Sequence, residues 1–129
     1  MAQVKIYGLS PNIAQRREAI SRAIHQAVMS ALSYPAEKKF HRFVTLSEEN
    51  FIYPADRSER YIIIEISIFE GRSVAAKKAL IRELFVQLES VADIAAHDIE
   101  ITITETPKEN WGIRGLPGDE LTLGYTVEV

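Results

Sequence analysis

The sequence predicts an α+β fold made by duplication: a four-stranded sheet carrying two helices on one face, with short hairpins added. Two observations predict it. Shifting the chain against itself by 60 positions superposes residue classes without a gap from about residue 4 to residue 51, which marks an internal repeat. Within each half the hydrophobic period runs two, then 3.6, then two, the order of strand, helix and strand. A single domain over 1–129 follows, with units of about 2–59 and 60–129. Right-handed crossovers then place both helices on the same face.

The first unit opens with a strand over 4–7. Ser10-Pro11-Asn12 signals a helix start, with Asn12 as cap and Gln15 closing a capping box. Ile13, Ile20, Ile24, Val28 and Ala31 form one apolar stripe, as a helix lying on a sheet requires. Tyr34-Pro35 ends that helix, because the residue before proline is pushed out of the α region. Residues 40–46 resume as strand, and 50–60 read as a hairpin arm and turn joining the units.

The second unit begins with a strand over 61–69, whose Ile62-Ile63-Ile64 run suits burial on both faces. Ser73 is a helix cap, and Ala79, Leu80, Leu84, Leu88 and Val91 make the second stripe. A strand over 98–104 follows. Residues 111–118 hold three glycines and a proline and read as a loop, while 124–129 alternate like a terminal strand. The sheet face away from the helices has no cover in the sequence. Another chain must supply it, so an oligomer is expected.

Composition removes several functions. The 129 residues carry 15 Lys+Arg and 18 Asp+Glu, a formal charge of −3, without a concentrated cationic patch for nucleic acid or a membrane surface. Absence of cysteine removes disulfides, thiol nucleophiles and thiolate metal sites. No apolar run approaches the roughly 20 residues of a membrane span, and the first residues lack a leader pattern. A cytoplasmic address is the default expectation. His25, His41 and His97 show no metal-ligand spacing, so neither metal nor cofactor is expected.

Phe69-Glu70-Gly71-Arg72-Ser73, the run Lys78-Ala79-Leu80-Ile81-Arg82-Glu83-Leu84, Ile101-Thr102-Ile103-Thr104-Glu105 and Asn110-Trp111-Gly112-Ile113 resemble the tautomerase superfamily typified by 4-oxalocrotonate tautomerase. The first half is similar more loosely. Length and two-unit layout resemble the longer branch containing malonate semialdehyde decarboxylase. The resemblance implies a homotrimer and an amino-terminal proline that acts as base or acid on a 2-oxo acid or its enol. Counted back from Pro35, that place falls on Ala2, whose primary amine would be free once Met1 is removed.

The resemblance also puts Arg72 where a substrate carboxylate binds. A guanidinium fork at a helix start suits that anion; pairing with Glu70 is the plain alternative. Glu70 and Lys38 stand where the decarboxylase branch has a second arginine and an acid, which lowers the expectation of decarboxylation. Lys38 is either an anion holder or solvated. Trp111 and Phe51 match an aromatic wall, or serve as core or interface aromatics, and Arg114 is a candidate second cation. His41 is a pocket base or a structural histidine. Arg16, Arg17 and Arg22 read as the wet face of the first helix.

Two functions are therefore expected to compete. One is proton transfer on a small 2-oxo acid, with the Ala2 amine as base and Arg72 on the carboxylate. The other is a diverged trimer that binds anions or serves as a scaffold without proline-dependent chemistry. A third option keeps an enzyme but uses His41.

Overall fold

Strand β1 (Ala2–Leu9), helix α1 (Ser10–Leu32) and strand β2 (Phe40–Leu46) form the first unit of the computed structural model, and β3 (Ile62–Phe69), α2 (Val74–Ala92) and β4 (Ile99–Thr106) form the second. A small hairpin, β5 (Gly112–Ile113) and β6 (Leu116–Pro117), follows. The structure describes residues 2–123 and 126–129. The main sheet has the order β2-β1-β3-β4, with parallel outer pairs and an antiparallel centre. Register carries the duplication: Gln3 faces Phe40 in the first unit and, 60 positions on, Ile63 faces Glu100 in the second.

Alternation along β1 and β3 aims Val4, Ile6, Ile62, Ile64, Ile66 and Ile68 at the helices, where they meet Ile13, Ile20, Ile24 and Val28 of α1 and Leu80, Leu84 and Leu88 of α2. Each fully buried side chain of this size stabilises by about 1.5–3 kcal/mol. Ala79, expected in the second stripe, is exposed, one step off the buried row. Ile63 faces away from the helices and stays half-buried. On that face Tyr7 donates its hydroxyl to Glu65 at 2.6 Å, which with burial raises the tyrosine pKa.

Several local expectations need correction. Asn12 does not cap α1: Leu9 is the cap residue and Pro11 fixes φ in the first turn. Asn12 is instead buried one turn in, donating to the Arg60 carbonyl at 3.1 Å and accepting from Arg16 at 3.0 Å. The helix ends at Ser33, whose left-handed φ of 52° precedes Tyr34. Residues 51–60 pair with no strand; turns hold them, and the Asp98 carboxylate accepts from Ser58 N at 2.8 Å and Ser58 Oγ at 2.5 Å.

The hairpin lies in 112–117, within the stretch read as a loop. Its apex residues Arg114 and Gly115 have φ of 51° and 86°, the positive pair that a tight two-residue hairpin turn needs. Of the expected terminal strand, Gly124 and Tyr125 lie outside the described residues and 126–129 form no strand.

Candidate active site

Antiparallel pairing of β1 with β3 brings the start of one strand beside the end of the other, and Ala2 pairs with Ile68. The chain leaves β3 through Gly71, whose φ of 129° is one that side chains resist. Arg72 follows at the turn. Its Nη1 donates to the Phe69 carbonyl at 3.3 Å, and only 4% of the residue is exposed. Ser73 then caps α2, its Oγ accepting from Ala76 N at 3.0 Å.

Phe69 ties the predicted residues together. Its buried ring meets Trp111 edge-on at 5.0 Å between centroids, its carbonyl holds Arg72, and its neighbour Ile68 pairs with Ala2. Gly118 keeps Trp111 in place: its amide donates to the Trp111 carbonyl at 2.6 Å, and an added Cβ would lie 2.5 Å from the Lys108 oxygen. Ala2 is 3% exposed, and its nitrogen donates to the Tyr34 hydroxyl at 3.1 Å.

The last residues cover this corner. Val127 is buried, with a side-chain carbon 3.1 Å from where a Cβ on Gly71 would sit, and the Val129 backbone oxygen accepts from Ser73 N at 2.8 Å. An oxygen therefore already sits on the first free amide of α2. Arg72 is therefore covered, and it is not the surface arginine of the plain alternative.

Other predicted residues are spread more widely. Arg114 and Trp111 share a depression of about 420 Å³ along the β5–β6 hairpin, with Arg114 exposed at its apex. Lys38 is half-buried at the approach to β2, its amide donating to the Pro35 carbonyl at 3.1 Å, and among the described residues its side chain makes no bond to the Phe69 corner. Phe51 lies at the opposite end of the sheet, stacked on Tyr61 at 5.6 Å. His41, on β2, faces α1 with its Nδ1 2.7 Å from Ser21 Oγ. Burial first, then His25 and Lys39, lowers its pKa from 6.5 to about 4.

A family model described as tautomerase enzyme matches residues 38–114, more than half of the chain. The chain belongs to the tautomerase enzyme family. It is 39% identical over 57 residues to 2-hydroxymuconate tautomerase of Pseudomonas putida, covering 44% of this chain and 90% of that one. It is 23% identical over 99 residues to the probable tautomerase YusQ of Bacillus subtilis (strain 168), covering 73% of this chain and 78% of that one. Among solved structures, malonate semialdehyde decarboxylase superposes with a TM-score of 0.81 at 19% identity, covering 92% and 99% of the two chains. A fused 4-OT from an asymmetric trimer superposes with a TM-score of 0.78 at 24% identity, covering 91% and 96%. Both show the tautomerase fold.

Two residues of this tautomerase corner escaped the sequence reading of individual roles. Phe69 looked like the last member of a strand, and only its place opposite the strand start reveals it as a hub. Tyr34 stands in sequence only as a helix terminator, yet its hydroxyl reaches a nitrogen 32 residues away.

Proposed function

We propose that this tautomerase moves a proton between oxygen and carbon of a small 2-oxo acid or its enol, with the Ala2 amine as base and Arg72 on the substrate carboxylate. The observation that carries the reading is that Arg72 and Trp111 both meet Phe69, while Ala2 pairs with Ile68, the chain neighbour of Phe69. Removal of Met1 turns the Ala2 nitrogen into an α-amine, with an ordinary pKa near 7.7–8.0. Burial among apolar groups disfavours the charged form of an amine, which would suit it to act as a base. It takes the proton from the enol hydroxyl and returns one to carbon, while the Arg72 guanidinium holds the carboxylate and stabilises the enolate.

A substrate carboxylate oxygen would compete with the Val129 oxygen for Ser73 N. Tyr34 orients the amine. Glu70 and Lys38 in the places of a second arginine and an acid favour isomerisation over decarboxylation. The fused 4-OT neighbours include trimers, and a homotrimer would cover the sheet face that carries Ile63 and Tyr7. The covered state of Arg72 favours a second reading, an anion-binding or scaffolding trimer without turnover.

Intact mass and the ultraviolet-monitored ketonisation of an aryl enolpyruvate test the first reading. Met1 is expected to be absent, and Arg72→Ala to lower kcat/KM by roughly 10²-fold or more, the scale of losing a charge-stabilising donor. Retained Met1 together with a rate independent of Arg72 overturns it in favour of the second.

A further inference from the structure

The helix-facing side of β2 is polar where its repeat partner is greasy. Helix α1 presents Arg17, Ser21 and His25 at successive turns, and β2 answers with alternate residues. The Arg17 guanidinium lies over the Phe43 ring at 6.0 Å, Ser21 Oγ is 2.7 Å from His41 Nδ1, and the His25 ring meets that of His41 at 6.1 Å. His25 Nε2 donates to the Ala36 carbonyl at 2.7 Å. Sixty positions on, the same packing uses Ile81, Phe85, Ile99, Ile101 and Ile103, and several of these join the apolar core.

The fold therefore does not require a serine, two histidines and a lysine here. Charge tells the same story. In the second unit Lys77, the partner of Arg17, is neutralised by Glu105 at 2.6 Å; the first unit has Thr45 in the place of that acid. Arg17, Arg22 and Lys39 line one cleft of about 600 Å³ with Ser21, His41 and Phe43, and among the described residues Glu18 is the only acid lining it. None of the three cations is in an ion pair among the described residues.

We infer that the cleft between α1 and β2 binds a small oxyanion of two or more negative charges, held by Arg17, Arg22 and Lys39 with Ser21 and His41 as hydrogen-bonding floor. Its β2 wall is an edge strand of the sheet, and β1 separates β2 from β3, the strand that leads to Arg72. Phosphate groups and dicarboxylates share this chemistry: several oxygens that accept from guanidinium forks and an ammonium. Excess positive charge of 3 − 1 = 2 around the cleft selects for the dianion.

Inorganic phosphate and succinate, titrated separately into the full chain at constant ionic strength, test the site by calorimetry and by the His41 ring resonances. Saturable binding of either anion at one per chain is expected, and their relative affinity distinguishes a phosphate from a carboxylate source. Ser21→Ile combined with His41→Ile copies the second unit and should weaken binding at least tenfold with helix content unchanged by circular dichroism. Should that pair fail to fold, Arg17→Gln with Arg22→Gln tests the same point from the exposed rim. Arg72→Ala should leave binding intact. No saturable binding, binding untouched by the rim variant, or binding lost in Arg72→Ala each overturns the assignment.

Discussion

The two ends of the central sheet are built from repeat-related residues and closed in opposite ways. At one end Leu9, Asn12 and Phe51 are covered by the chain running from one unit into the next: Asn12 donates to the Arg60 carbonyl, and Phe51 stacks on Tyr61. At the other, Phe69, Arg72 and Trp111 occupy the equivalent places, and the strand beside them starts at Ala2 rather than continuing from a linker. Ile62, the partner of Ala2, has a peptide nitrogen fixed within the chain. Duplication thus supplies two corners, one closed by continuous chain and one at which, in the proposed reading, loss of Met1 would free the Ala2 nitrogen.

The largest expected effect lies at the hub. Phe69→Ala should cost about 3–5 kcal/mol, since a fully buried aromatic leaves a cavity, measured by denaturant unfolding. Phe69→Leu copies the far corner and should cost much less, yet still lower turnover by removing the wall against which Trp111 stands. Unchanged kcat/KM in Phe69→Leu would show that the corner does not serve catalysis.

Next comes the tether between units. Asp98 is buried and accepts two bonds from Ser58, so Asp98→Ala should cost about 1.5–3 kcal/mol, the range for bonds to a charged group. Its repeat partner Lys38 has no such role, and Lys38→Ala should stay within about 0.5 kcal/mol. Comparable losses at both positions would remove the asymmetry. A smaller contrast separates the helix starts. Ser73→Ala should cost about 1 kcal/mol as a lost cap, while Ser10→Ala should be nearly neutral because Leu9 occupies the cap place of α1.

Much of this architecture was legible because it rests on periodicity. Residues 40–46 alternate and form β2 with those bounds, and Ser73 caps α2 as its position suggests. The 112–117 hairpin was not legible, since Arg114-Gly115 is a poor advertisement for a turn with two positive φ values, usually signalled by Asn-Gly or Asp-Gly. Asn12 has the side chain of a cap, but Pro11 starts the helix earlier and burial gives the amide a distant carbonyl instead. Arg72 and Trp111 were visible in sequence, but their meeting through Phe69 depends on strand pairing that only folding supplies. The tail on Ser73 N is likewise a tertiary fact.

The smallest effect probes the polar cleft against its apolar counterpart. His41 has a folded pKa of about 4 against 6.5 for a free imidazole, so between those values the unfolded chain binds more protons than the folded one, and stability rises with pH. The contribution is whole above about pH 6.5 and is lost as pH falls toward 4. Solvent screening of the partly exposed ring reduces it to the order of 1 kcal/mol. Other groups titrate in the same window, but His41→Ile, which installs the residue found at position 101, removes this one alone. Denaturant midpoints at pH 7 and pH 4.5 should therefore draw closer in His41→Ile than in the wild type. Equal differences in the two proteins would mean that His41 is free to charge where it stands, facing Ser21, His25, Arg17, Glu18 and Arg22 of α1 and Lys39 just before its own strand, without cost to the fold.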